Sequence, residues 1–181
     1  MTRASIRPWP VKRRSYWRSG RGKGMAEVAE LKAYLAECGI ELWEYEQETA
    51  TSATAAAAVG CTVAEIAKTL LFMVGGNPVA VVTCGYMKVK SSPLKKAFSL
   101  SGKVKLPEAE DVIRYTGYAP GGVCPFLLPA DLPVRLDASL ARFPVVYAAG
   151  GSSHSAVPVT LEQLKELTGA EVAEICAPAD S

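Results

Sequence analysis

The sequence predicts a mixed α/β fold, an α+β domain built on a mixed β-sheet, curved or barrel-like, with helices packed against it. Three observations carry this. Strand-like apolar runs and capped helical segments are interleaved along 181 residues without a regular βαβ alternation. Hydrophobic residues make up 49% of the chain, enough for one sizeable core. No apolar run reaches the roughly 18 residues of a membrane span, so no membrane partner is expected.

The elements follow in order. Ala26–Glu37 reads as an amphipathic helix with Val28, Leu31, Tyr34 and Leu35 on one face, stopped near Gly39. Glu41–Glu46 alternates polar and apolar like an edge strand, Leu42 and Tyr45 inward. Ser52 caps an alanine-rich helix, Ala53–Val59, closed by Gly60. Thr62 and Glu65 have capping-box spacing, which predicts a short helical segment over Cys61–Ala67. That segment runs into a strand, Lys68–Val74. Gly75-Gly76-Asn77 then joins it to a second strand, Pro78–Cys84, as a hairpin. Ser92 followed by Pro93 opens a helix to about Phe98. Lys103–Leu106 is a short strand, and Pro107 starts a helix that Gly117 ends. Leu132–Leu136, Val145–Ala149 and Val157–Val159 read as strands. Thr160 and Gln163 repeat the capping-box spacing before a helix, Leu161–Leu167, and Glu171–Ile175 is a last strand.

Charge divides the chain. Residues 1–24 hold eight basic residues and no acidic one. The remainder has 12 basic against 18 acidic residues, a net of −6, so overall charge gives no case for a nucleic-acid-binding body. Residues 1–24 read as a basic, disordered extension and residues 25–181 as one domain, with Met25 a natural start. The same tail, with Trp9, Tyr16 and Trp17 interleaved, also has the composition of a phosphate-binding arm. The five cysteines form no C-x-x-C pair, so neither a metal site nor a disulfide framework is expected, nor any cofactor. A reduced, cytoplasmic setting is the expectation.

Lys68 is the most informative residue. A cation at the mouth of an apolar strand is costly to desolvate unless an anionic or carbonyl group meets it. The simpler reading is a strand-end lysine whose stem packs while its amine reaches water. A Gly/Pro-rich loop, Gly117–Phe126, can bring backbone N–H groups close to a ligand, or can serve only as a rigid turn. The one histidine, His154, lies in a small-residue loop, Gly150–Ser155. Cys124 beside the first loop raises a Cys/His nucleophile pair as a rival, against a small buried thiol.

Taken together, Ile66-Ala67-Lys68-Thr69-Leu70, Gly117-Tyr118-Ala119-Pro120-Gly121-Gly122-Val123-Cys124-Pro125-Phe126, and Val146-Tyr147-Ala148-Ala149-Gly150 with His154-Ser155 resemble a known family. It is the YbaK/EbsC-type aminoacyl-tRNA editing domain, also found inserted in prolyl-tRNA synthetases. The likeness runs from about residue 30 to Cys176. It implies a trans-acting deacylase that hydrolyses the ester of a mischarged tRNA, tRNA-Pro first among carriers. The aminoacylated 3′ end would be its substrate and a prolyl-tRNA synthetase a partner. The resemblance places the essential lysine on Lys68. It places substrate binding on Thr69, Gly117, Tyr118, Pro120, Gly121, Gly122, Gly150, His154 and Ser155, with His154 influencing which amino acid is accepted. Several members carry Asn after the lysine; Thr69 here bears on the substrate rather than on the activity. With no activated serine or metal evident, water would attack with help from a tRNA ribose hydroxyl, and Gly121 and Gly122 N–H groups would hold the oxyanion. Two alternatives stay open: a non-catalytic tRNA- or nucleotide-binding module of the same fold, and a Cys124/His154 hydrolase.

Overall fold

A computed structural model describes residues 28–179. The expectations for residues 1–24 and for Met25 lie outside them. In chain order the elements are α1 (Val28–Glu37), β1 (Trp43–Glu44), α2 (Ser52–Val59), a 3-10 turn (Val63–Glu65), β2 (Ile66–Val74), β3 (Asn77–Cys84) and β4 (Met87–Val89). There follow α3 (Ser91–Phe98), β5 (Val104–Lys105), α4 (Ala109–Thr116), β6 (Val134–Asp137) and a 3-10 turn (Ala138–Arg142). The last are β7 (Val146–Ala148), β8 (Ser155–Val159), α5 (Leu161–Thr168), β9 (Glu171–Ala173) and β10 (Cys176–Pro178).

The β2–β3 hairpin is the spine. It pairs antiparallel from Ala67↔Cys84 to Val74↔Asn77 around Gly75 and Gly76, whose positive φ values suit a two-residue turn between twisted strands. β3 pairs in parallel with β6, and β6 in parallel with β9. On the other side β2 pairs in parallel with β7, which leads antiparallel to β8 and then β1. The result is one eight-stranded mixed sheet ordered β1-β8-β7-β2-β3-β6-β9, with β5 on the far end of β2. β4 and β10 form a separate antiparallel pair.

Alternation along the hairpin divides the core between two faces. Ala67 and Leu71 of β2, with Ala80 and Val82 of β3, meet Leu31 and Leu35 of α1, Leu164 and Leu167 of α5, and Tyr118 and Phe126. Val74, Val79 and Val81 face the opposite way, onto Leu94 of α3 and Ile175. Ile66 meets Ala55 and Ala56 of α2 on that second face. Full burial of residues such as Phe126 and Leu31 is worth about 2–3 kcal/mol each in removed apolar surface.

Several expected boundaries move, each for a local reason. β2 begins at Ile66 because Ile66 and Ala67 pair with Tyr147 and Ala148. Lys68 is therefore the third residue of a strand rather than its first, and the helical segment before it shrinks to the capped turn Val63–Glu65. Helix α2 is capped by Thr51, whose hydroxyl accepts from Thr54 N–H while Thr54 Oγ1 accepts from Thr51 N–H; Ser52 is its first residue. In α3 the cap position is Lys90 and Pro93 is the third residue, where its missing N–H has no intrahelical partner to lose. The strands β4 and β10, absent from the sequence expectation, are three residues each and pair only with one another.

Candidate functional site

The central strand has an open stretch on one edge. β2 and β7 separate after Ala67↔Ala148, and that edge of β2 is next used where Met73 meets Lys105 of β5. In an antiparallel ladder, residues turn their backbone groups to alternate edges. A two-residue hairpin closes on a hydrogen-bonded pair, here Val74 with Asn77. The odd-numbered residues of β2 thus direct N–H and C=O away from β3, and Thr69 and Leu71 direct theirs into the gap. Ile66, on the even set, fits: its carbonyl accepts from Gly85 N–H on the β3 side. A cavity of about 300 Å³ fills this gap.

Three walls close around it. One is the start of α2, with Thr49, Ala50, Thr51, Ser52 and Ala55. The second is the glycine loop, contributing Gly121 and Val123. There Ala119-Pro120-Gly121-Gly122 is a turn closed by Gly122 N–H donating to Ala119 O, with Pro second and Gly121 third at φ +87°. A Cβ on Gly121 would approach Ala50 Cβ to 3.1 Å, so the turn lies close against the first wall. The third wall is Tyr147, Ala148, Ala149, Ser155 and Ala156. Ser155 is pinned: its N–H donates to Thr49 Oγ1, which donates in turn to Ser155 O, while Ser155 Oγ accepts from Gly150 N–H.

Lys68 and Thr69 lie on the cavity's β2 side and face opposite sides of the sheet. The Lys68 amine is half-buried and donates to Met87 O at 2.6 Å and Gly85 O at 3.1 Å. An ammonium has three N–H groups, so one is left without a partner among the described residues. Gly85 itself packs against Ser52: a Cβ there would fall 2.9 Å from Ser52 Cβ, which keeps this amine beside the first wall. Burial lowers the Lys68 pKa from 10.5; the Cys176 and Cys84 sulfurs oppose that, and Lys88 adds to it. Thr69 is 9% exposed, and its hydroxyl has no hydrogen-bond partner among the described residues. A buried, unpartnered hydroxyl costs roughly 1–3 kcal/mol.

Of the residues singled out from the sequence, the structure brings Lys68, Thr69, Gly121 and Ser155 to the cavity. Gly117, Tyr118, Pro120, Gly122, Gly150 and His154 lie outside its lining. Gly117 caps α4 at φ +78°. Tyr118 is a core residue whose hydroxyl donates to Phe126 O at 2.6 Å. Gly122 lets the glycine loop approach Ser152, where a Cβ would meet backbone at 3.0 Å; its N–H is engaged in the turn, whereas Gly121 N–H has no partner among the described residues. His154 is exposed, its Nδ1 3.1 Å from Ser153 Oγ and its carbonyl accepting from Tyr45 N–H. Cys124 is fully buried, its Sγ donates weakly to Phe126 O, and burial pushes its pKa up to about 12. A thiol held protonated inside the core is not a nucleophile, which removes the Cys124/His154 pairing. Among the described residues no cluster of three or more His, Cys, Asp or Glu could hold a metal, and no helix is long and apolar enough to cross a membrane.

Residues 46–167 match the model of the aminoacyl-tRNA editing domain. The chain belongs to that family. The uncharacterized Bacillus subtilis (strain 168) protein YwhH is 35% identical over 133 residues, 73% of this chain and 83% of YwhH. A crystal structure of a proposed trans-editing enzyme for prolyl tRNA synthetase superposes with a TM-score of 0.74 at 29% identity, covering 85% of this chain and 99% of that one. The crystal structure of the hypothetical protein APE2540 gives a TM-score of 0.73 at 31% identity, over 83% of this chain and all of that one.

Every residue lining the cavity falls within the matched span of the editing domain. The sequence reading missed the editing domain's first wall, Thr49–Ser52, and Tyr147. The signal for the wall was present: Thr51 and Thr54 have the spacing of a capped helix start, and two more small polar residues flank Thr51. Tyr147 stands in the Val146–Gly150 motif with no role assigned to it there; β7 places it, and its ring packs 5.9 Å from the Trp43 ring.

Proposed function

We propose that this editing domain hydrolyses the ester that joins a wrong amino acid to the 3′ end of a tRNA. The observation that carries the proposal is the gap between β2 and β7, where Thr69 turns its backbone N–H and C=O toward a cavity that Lys68, Gly121 and Ser155 also line. About 300 Å³ suits an amino acid and part of its ribose. A small pocket of this kind supplies a second sieve for side chains that one binding site separates poorly.

In this reading Thr69 binds the aminoacyl group, and the third N–H of Lys68 meets the terminal phosphate or the ester carbonyl. Gly121 N–H faces the oxyanion as the carbonyl carbon becomes tetrahedral. Water attacks with assistance from a ribose hydroxyl of the substrate, the step implied by the family resemblance. The likeness to the proposed trans-editing enzyme for prolyl tRNA synthetase makes tRNA-Pro the first carrier to test, with that synthetase as partner.

The test is a deacylation screen of purified protein on tRNA-Pro and tRNA-Ala charged with alanine, cysteine, serine, threonine and proline. Hydrolysis of at least one pair is expected, with Lys68→Ala removing most of it. A full panel left intact by wild type, while the tRNA still binds, would leave only a binding module.

A further inference from the structure

The net charge of the globular part hides a second division of charge. Residues 66–107 contain Lys68, six more lysines and no Asp or Glu. The rest of residues 25–181 has five basic against 18 acidic residues. The six lysines are Lys88, Lys90, Lys95, Lys96, Lys103 and Lys105, on or beside β4, α3 and β5. These three elements pack together: Val89, Leu94, Phe98, Leu100 and Val104 share the second core cluster, which leaves the lysines on its outside. All but the half-buried Lys95 are exposed, and none is in an ion pair among the described residues.

This face is continuous with the cavity in two ways. β5 occupies the same edge of β2 as the cavity, and Met73, its first partner, is four residues beyond Thr69, roughly 13 Å along the strand. Lys88 lies close enough to the Lys68 amine to act on its charge. The opposite approach is acidic: Glu44, Glu46 and Glu48 are exposed and precede the Thr49–Ser52 wall.

We propose that the β4–α3–β5 face is the docking surface for the phosphates of the tRNA acceptor arm, so that the aminoacylated 3′ end enters the cavity along the open edge of β2. The proposal rests on the editing reading for its substrate and adds where the RNA body lies. An unpaired run of lysines fits a polyanion, because each neutralised phosphate releases condensed counterions. The acidic side repels the same phosphates, which leaves one direction of approach.

The experiment measures binding of uncharged tRNA by fluorescence anisotropy across a salt series. Wild type is compared with Lys90→Gln/Lys96→Gln/Lys103→Gln/Lys105→Gln and with Glu46→Gln/Glu48→Gln; thermal melts confirm that both variants fold. The lysine variant is expected to bind about tenfold more weakly, with a log K against log salt slope smaller by about 3, while the glutamate variant binds as well as wild type or better. On a mischarged tRNA the lysine variant raises KM about tenfold and holds kcat, and on an aminoacyl-adenosine without phosphates it matches wild type. Unchanged affinity and slope in the lysine variant overturns the proposal. So does lysine-dependent binding to vesicles of phosphatidylcholine and phosphatidylserine with tRNA affinity unaltered, which assigns the face to a membrane. If wild type hydrolyses no ester, the editing reading fails, and the anisotropy result still decides whether this face binds RNA.

Discussion

Replacing Thr69 by Val separates stability from function. The hydroxyl oxygen is buried, with no partner among the described residues, in a side chain that is 9% exposed. Val keeps the β-branched shape and the strand preference, and removes only the polar atom. An unsatisfied buried polar group costs roughly 1–3 kcal/mol, and fitting a methyl into the same packed site offsets part of the gain. The net gain in folding stability is therefore about 1–2 kcal/mol, a rise in Tm of about 3–6 °C for a domain of this size. The same change removes one hydroxyl from the set carried by the cavity-lining residues Thr49, Thr51, Ser52, Thr69 and Ser155. If Thr69 recognises the aminoacyl group, kcat/KM on the preferred mischarged tRNA falls about tenfold or more, since a polar substrate group would face a methyl. The assays are urea and thermal unfolding alongside deacylation. A variant that is less stable than wild type, or one that is more stable and fully active, refutes the reasoning.

Three further outcomes follow from the same geometry. The pKa of Lys68 is lower in the folded chain than its ordinary 10.5, so the unfolded chain binds more protons between the two values and stability rises with pH in that window. In Lys68→Met that increment disappears from urea melts taken on raising the pH toward 10.5. Burial raises the Asp137 pKa, but hydrogen bonds from Ser139 Oγ and from Ile175, Ser139 and Cys176 N–H outweigh it and hold the carboxyl below 3.8. Asp137→Ala should cost about 3–5 kcal/mol, because three N–H groups lose their acceptor, and the wild-type contribution is lost as pH falls below 3.8 through the folded value. Cys124, whose pKa is pushed up to about 12, stays unlabelled by iodoacetamide in the native protein and reacts once urea unfolds it; mass mapping of peptides reads this directly.

Short-range signals in the sequence correspond to short-range structure. The Gly75-Gly76 hairpin, the capping boxes at Thr62/Glu65 and Thr160/Gln163, and the stops at Gly60 and Gly117 need only neighbours along the chain. The contacts that build the cavity are long-range. Ile66 meets Tyr147 and Thr49 meets Ser155, and nothing near either residue announces the other. The same holds for β4 and β10, whose three-residue strands carry no periodicity of their own. Tyr118, which the family resemblance places among the substrate-binding residues, has its ring in the core beneath the loop, a placement no neighbour in the sequence announces. Net charge hides local order in the same way, since a sum over the whole globular part averages away a 42-residue stretch without an acid.

The β4–β10 pair has a consequence for the order in which the molecule is completed. Lys68 is held by the carbonyl of Met87, and Met87 is paired with Pro178, more than a hundred residues beyond Lys68 in the chain. On the ribosome the hairpin carrying Lys68 can zip up long before that partner exists. The ammonium stays loosely tethered until residues 176–178 clear the exit tunnel, so a nascent editing domain holds its hairpin early and acquires a fixed cation only once that later stretch has emerged.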